Sequence, residues 1–258
     1  MNLAINNHLF IVGGATSGFG KAIATALISE GASIIAVARN KEKLIQLQSA
    51  EPAQIDILSG DLSDPLLLPQ LLALVGDRPL HGILVNAGGP PAKTVLETTL
   101  ADWDHAYQLL LRWKVAITQA FVPTMVANGY GRLVFVESVS VKQPIENLVL
   151  STSLRLGVVG MVKTLSQEIA KSGVTLNVLA PGSHDTPAVD RLYHKKSEQT
   201  GMPFHMVKEA AINNIPVGSL GDPNDFASLA LWLLSPASRF ITGQTITVDG
   251  GSVRGIMG

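Results

Sequence analysis

The stretch "HLFIVGGATSGFG", residues 8–20, decides how the rest of the chain is read. A short apolar run ends in glycine, and Gly14, Gly18 and Gly20 then follow in the spacing G-x-x-x-G-x-G. The next residues, "SGFGKAIATALISEG" (17–31), have helical periodicity and stop at Gly31, a natural C-cap. A strand that turns into a helix across such glycines provides a tight turn, a backbone that a pyrophosphate can approach, and N–H groups at the helix start to receive an anion. A purely structural turn would use the same glycines. Their position at the first strand–helix junction favours a nucleotide site. Candidate contacts there are Gly14, Thr16, Ser17, Gly18, Phe19 and Gly20.

The pattern repeats along the chain. Strands are expected at 32–39, 53–61, 80–89, 131–138, 174–182 and 243–250, in addition to the first at 8–14. Helical stretches lie between them at 41–50, 65–76, about 101–127, about 148–171 and 223–234. Residues 186–216 read as a polar, less regular insertion. The strands are continuously apolar rather than alternating, so both faces of their sheet are covered. Strand–helix alternation with right-handed crossovers then gives an α/β, Rossmann-type, doubly wound parallel sheet of seven strands with helices on both faces. Nothing in the composition marks a linker or repeat, so residues 1–258 are expected to form a single domain.

Composition narrows the function classes. There are 19 basic and 20 acidic residues, a formal charge of −1, with no basic stripe, so no nucleic-acid or anionic-membrane partner is expected. Hydrophobic residues make up 47%, yet no run approaches the length of about 20 that a membrane span requires. Cysteine is absent, which excludes disulfides and thiolate chemistry and fits a reducing compartment. With no leader pattern at the N-terminus, a cytoplasmic location is the default. No cluster of His, Asp and Glu has metal-ligand spacing, so no metal is expected.

The second strand ends in Ala38 and Arg39, where a carboxylate would bind a ribose 2′-hydroxyl. A guanidinium there suits a 2′-phosphate instead, favouring NADP over NAD. With these residues in place, the chain resembles the classical short-chain dehydrogenase/reductase family, close to its 3-oxoacyl-acyl-carrier-protein reductase-like members. "GGATSGFG" matches the family's glycine motif, with Gly13 in place of its usual threonine. "GDLSD" supplies Asp61 and Leu62 on the adenine side, and "VNAGG" supplies Asn86, Ala87 and Gly88 beneath the cofactor. "APGSHDT" resembles the proline–glycine turn and nicotinamide-side threonine, here Pro181, Gly182 and Thr186, and "ITGQTITVDGG" matches the closing strand.

The resemblance implies hydride transfer between a nicotinamide and a carbonyl or alcohol carbon, catalysed by an Asn, Ser, Tyr and Lys set. Ser138 matches the serine. "VGMVKTLSQEIA" fixes the register of the following helix, which puts Ser151 at the tyrosine position and Arg155 at the lysine position. "WDHAYQLLLRWK" puts Leu110 at the asparagine position. Three of the four groups have therefore changed. Ser151 and Arg155, at i and i+4, share a helix face. Arg155 retains a believable contact with ribose hydroxyls, although its planar fork is no simple replacement for an ammonium. Ser151 lacks the accessible pKa of a phenol.

Two functional readings follow: an NADP-dependent oxidoreductase with an altered mechanism, or a catalytically degenerate NADP-binding regulatory or structural protein. For the enzyme, the catalytic candidates are Ser138, Ser151, Arg155 and, as a replacement acid in the turn beside the nicotinamide, His184. Tyr193 is a further candidate if residues 186–216 act as a lid over a small-molecule substrate. Apolar residues on more than one side of the 101–127 and 148–171 helices, together with the family resemblance, imply a homodimer or homotetramer.

Overall fold

The computed structural model describes residues 2–86 and 88–256. Seven parallel strands form one sheet: β1 (Leu9–Gly13), β2 (Ser33–Ala38), β3 (Ile55–Ser59), β4 (Leu80–Val85), β5 (Gly131–Val136), β6 (Val174–Pro181) and β7 (Thr245–Val248). Their order is β3-β2-β1-β4-β5-β6-β7. The chain therefore steps outward from β1 to β3 and then returns to the other side of β1. The reversal between β1 and β4 opens a crevice at the carboxyl ends of the strands, where doubly wound sheets bind ligands.

Alternate residues of each strand feed two apolar layers. Phe10 and Val12 of β1, with Ile34 and Ala36 of β2, pack under α1 (Gly18–Ser29), α2 (Lys41–Ala50) and α9 (Pro223–Leu234). Leu9, Ile11, Ile35 and Val37 face the opposite layer under α3 (Leu67–Val75), α5 (Trp113–Ala127) and α6 (Val149–Glu168). The sheet with helices on both faces is as the sequence pattern predicts. Pro69 lies in the first turn of α3, where a missing N–H breaks no helical bond.

Two elements differ from expectation. The long helix at 101–127 consists of α4 (Leu100–Tyr107) and α5 joined by a π-helical turn, Gln108–Arg112, with Leu110 buried within it. Residues 186–216, expected to be irregular, instead contain α7 (Pro187–Thr200) and α8 (Phe204–Ile212). Thr186 caps the first of these with Pro187 at its N-terminal turn, and Gly201 ends it in the left-handed region at φ +71°. The polar composition that hid α7 belongs to its solvent face, with Tyr193 as its buried residue. Among the described residues, no helix is long and apolar enough to cross a membrane.

Candidate active site

At the nucleotide end, β1 passes directly into the glycine turn. Gly14 and Gly18 have φ of +67° and +50°, a region that side chains rarely adopt. A Cβ at Gly20 would collide with the Gly14 carbonyl, and one at Gly13 would lie 2.6 Å from the Asn86 carbonyl oxygen. The Asn86 Nδ2 donates to the Gly13 carbonyl at 3.2 Å and ties the turn to the end of β4. The N-cap of α1, Ser17, makes no side-chain capping bond, and the first turn carries no acidic residue. Its unpaired N–H groups and positive dipole end therefore suit an anion. A dinucleotide pyrophosphate fits this turn.

The remaining nucleotide candidates surround the same crevice. Arg39 lies at the end of β2 with an 82% exposed side chain, 3.9 Å from Asp61 Oδ2. Asp61 is further tied by Ser63, whose N–H and hydroxyl donate to Oδ1 at 2.9 and 2.7 Å. Leu62 packs on Gly13. Gly88 is exposed, with nothing within 4 Å of where its side chain would begin. Ala87 lies outside the described residues. Pro181 ends β6, and the Gly182 N–H donates to the Val248 carbonyl at 2.9 Å. Thr186 sits against Gly18, with its Cγ2 3.5 Å from the position of a Cβ there. Phe19 is the exception among the side chains: its ring faces inward, 4.2 Å from that of Phe226 between centroids, leaving its backbone for a ligand.

The reaction end departs further from expectation. Ser138 is half-buried at the end of β5, and its Oγ accepts from the Ser140 N–H at 3.2 Å. Ser151 and Arg155 are both buried on one face of α6, and Arg155 Nε donates to Ser151 Oγ at 3.0 Å. Arg155 Nη1 donates to Glu137 Oε2 at 2.8 Å and to the Val136 carbonyl at 3.3 Å. The other carboxylate oxygen of Glu137 accepts from Lys114 Nζ at 2.5 Å. Glu137 and Lys114 have 0% and 1% exposed side chains. Burial pulls the Lys114 ammonium down to about 8; Arg155 adds to the fall and Glu137 opposes it.

This buried Lys114–Glu137–Arg155–Ser151 chain is the part of the site that sequence reading missed. Two signals pointed to it. Glu137 closes the apolar run "RLVFVE" immediately before Ser138, and a carboxylate at the end of a buried strand needs a partner. Lys114 follows Leu110 by one helical turn, so the ammonium reaches the site from the helical segment where the resemblance expects the asparagine.

His184, the expected replacement acid, lies inside the turn after β6. It is 2% exposed, its ring lies edge-on to Phe19 and Phe226, and its Nδ1 lies 3.1 Å from the Gly182 carbonyl. The apolar packing under the β6–α7 turn holds the ring inside. Tyr193 is also buried, and its hydroxyl has no hydrogen-bond partner among the described residues. The structure thus joins Ser151 and Arg155, leaves Ser138 beyond the adjacent strand end, and encloses His184 between Phe19 and Phe226.

Comparison with known proteins bears on the family and the fold. A family model described as enoyl-(acyl carrier protein) reductase matches residues 14–253. The 3-oxoacyl-[acyl-carrier-protein] reductase of Thermotoga maritima is 30% identical over 258 residues, covering 97% of this chain and 100% of that protein. A "Dehydrogenase/reductase SDR family member 6" from Xenopus laevis is 27% identical, covering 96% and 98%. Among solved structures, an actinorhodin polyketide ketoreductase with NADPH superposes with a TM-score of 0.90 at 26% identity, covering 96% of this chain and 98% of that one.

Proposed function

The chain belongs to the short-chain dehydrogenase/reductase family, and on that premise we propose that it is an NADP(H)-dependent oxidoreductase that interconverts a carbonyl and an alcohol at a reaction centre rebuilt around Arg155. The observation that carries this reading is the Arg155 guanidinium itself, at the family's lysine position and bonded on one side to Ser151 and on the other to Glu137.

The bound cofactor supplies or accepts the hydride. Gly14, Gly18 and Gly20 bring backbone to its pyrophosphate, and Asn86, Gly88, Pro181, Gly182 and Thr186 line its path toward the reaction end. Arg39, exposed and held loosely by Asp61, meets the 2′-phosphate. NADP(H) is therefore preferred to NAD(H). Arg155 Nη2 has no hydrogen bond among the described residues and lies 3.5 Å from the Cβ position of Gly89, which directs it toward the loop beside the cofactor. It takes over the ribose contact that the family assigns to lysine.

The chemistry at the substrate oxygen follows from the donors present. Arg155 Nε donates to Ser151 Oγ, so the serine proton is directed away from the guanidinium. Ser151 and Ser138 then donate to the carbonyl oxygen, and the positive guanidinium stabilises the negative charge that develops there. Ser151 orients and polarises; it does not replace the phenol as an acid. The proton that completes reduction comes from water through the serine hydroxyl, and oxidation returns it by the same route. His184 has no part in this step.

Helices α7 and α8 form the lid over a small-molecule substrate, with Met202 and Met206 offering apolar surface. The whole chain acts as one domain, since one core layer draws on elements from β1 to α9 and the other on elements from β1 to β6. Exposed Leu156 on α6, beside the exposed Gly157 and Gly160, supports assembly into a homodimer or homotetramer through this helix. The test is calorimetric titration with NADPH and NADH, followed by a screen of ketones, aldehydes and alcohols that monitors reduced nicotinamide. Tighter NADPH binding with turnover on at least one pair is expected. Failure to bind NADPH, or binding without turnover on any pair, overturns the reading.

A further inference from the structure

Lys114 and Glu137 lie behind the groups that meet substrate. Lys114, on the first turn of α5, passes 5.8 Å from the Trp113 ring centre and ends on Glu137 at the close of β5. Glu137 then holds Arg155 of α6, which holds Ser151. The charged groups acting on Lys114 are Glu137 and Arg155. Two cations and one carboxylate give the sealed cluster a formal charge of +1 when Lys114 is protonated. Arginine does not lose its proton in a protein, so Lys114 is the cation that can change state.

We infer that Lys114 and Glu137 are positioning residues of the reaction centre: Glu137 fixes the Arg155 fork so that Nε meets Ser151, and the protonation state of Lys114 sets the positive potential presented to the reacting oxygen. This inference rests on the oxidoreductase reading above. When Lys114 is charged it shares the Glu137 carboxylate, leaving Arg155 less neutralised and the developing oxyanion better stabilised. When Lys114 loses its proton the cluster becomes neutral, and that stabilisation weakens. The main cofactor grip, at the glycine turn and Arg39, is at the other end of the crevice, and Arg155 keeps its own charge and ribose contact in either state of Lys114, so NADPH binding does not follow this titration. One unit charge acting through two hydrogen-bonded groups, at an effective dielectric of about 20, corresponds to a fall in kcat of roughly tenfold or more.

The experiment pairs a direct titration with pH profiles. Lysine-selective 15N NMR of the wild-type protein, with the Lys114 signal assigned from its loss in Lys114→Met, should show a midpoint at about 8. Titration alongside the surface lysines would overturn the inference. In wild type, kcat should fall with the same midpoint while the Kd for NADPH stays level. Lys114→Arg keeps a cation at every accessible pH, so its kcat should stay level where wild type falls. Lys114→Met should show the low alkaline kcat throughout. A wild-type limb in either variant would refute the assignment. If Lys114→Met does not fold, Lys114→Met with Glu137→Gln removes both members of the pair and must also lose the limb. Absence of NADPH binding or turnover in wild type counts against the oxidoreductase reading, and the NMR midpoint still decides the state of Lys114.

Discussion

Replacing Glu137 with glutamine is the most demanding test of the buried cluster. The carboxylate is sealed from solvent and accepts from Lys114 at 2.5 Å and from Arg155 at 2.8 Å. Both partners only donate. A glutamine can accept with its oxygen from one of them, and its amide then points two hydrogens at the other. One buried cation is left without a counter-charge, and breaking such a pair costs about 3–5 kcal/mol. That is a large part of a typical stability of about 5–15 kcal/mol. At about 2–4 °C per kcal/mol for a chain near this size, the melting temperature should drop by about 6–20 °C. Urea unfolding followed by the fluorescence of the three tryptophans measures the loss directly. The deficit should also shrink as pH rises. The Lys114 pKa is depressed by burial to about 8 even with Glu137 present, and in the unfolded chain it returns to the ordinary lysine value of 10.5. The unfolded state therefore binds more protons between those values, and stability rises with pH across that window. Removing Glu137 takes away the partner that raises this pKa, so the recovery begins at lower pH. A loss below about 1 kcal/mol at neutral pH, or a deficit that grows toward pH 9, would refute the claim that the cluster is desolvated and charged.

Three further outcomes follow from the same geometry. Arg39→Ala should weaken NADPH binding about tenfold, the scale of one charge-assisted contact, and leave NADH unchanged; equal loss for both cofactors in calorimetry would remove the 2′-phosphate role. Ser151→Ala should lower kcat about 100-fold with little change in the Kd for NADPH, because it deletes a donor used on the developing oxyanion, and unaltered steady-state turnover would exclude it. His8 is stacked on His81 at 3.9 Å, and its pKa is pulled down to about 4, first by burial and then by His81 and Arg132. The folded state thus resists a proton that the unfolded state accepts at the ordinary 6.5, so stability is lost as pH falls from 6.5 toward 4. Thermal melts of His8→Asn should show a flatter acid limb, and an unchanged limb would clear His8 of responsibility.

The fold was legible because its signals are local. The turn at Gly14–Gly20 states its own geometry, and the apolar strands state that both faces of the sheet are covered. Ser151 and Arg155 share one face of α6, as their i, i+4 spacing dictates. What the sequence concealed depends on packing between elements distant in the chain. His184 reads as an available imidazole, yet Phe19 and Phe226 from two other helices enclose it. Lys114 and Glu137 are 23 residues apart on different elements, and their pairing appears only when α5 lies across the end of β5. The polar run at 187–200 looked irregular because one buried residue, Tyr193, carries little periodic signal.

The buried charges argue for a working site over a decayed one. An apolar side chain such as Leu110 is buried at little cost, as it is within its π-helical turn. Burying charges is different: each one taken from water costs several kcal/mol before any partner is found. This chain places Leu110 one turn from a lysine, and it keeps that lysine, a carboxylate and an arginine sealed together at the end of β5. Packing alone would be served better by apolar residues of similar volume. The three charges also do not close on themselves, since Arg155 extends past Glu137 to the hydroxyl at the tyrosine position. Clusters of shifted, buried ionisable groups gather where chemistry requires them. On the proposed reading, the positive charge that the family resemblance assigns to a lysine on α6 is delivered by Arg155 and reinforced by Lys114 from α5. That arrangement keeps a cation beside the Ser151 hydroxyl, which is what a developing oxyanion at the proposed reaction centre requires.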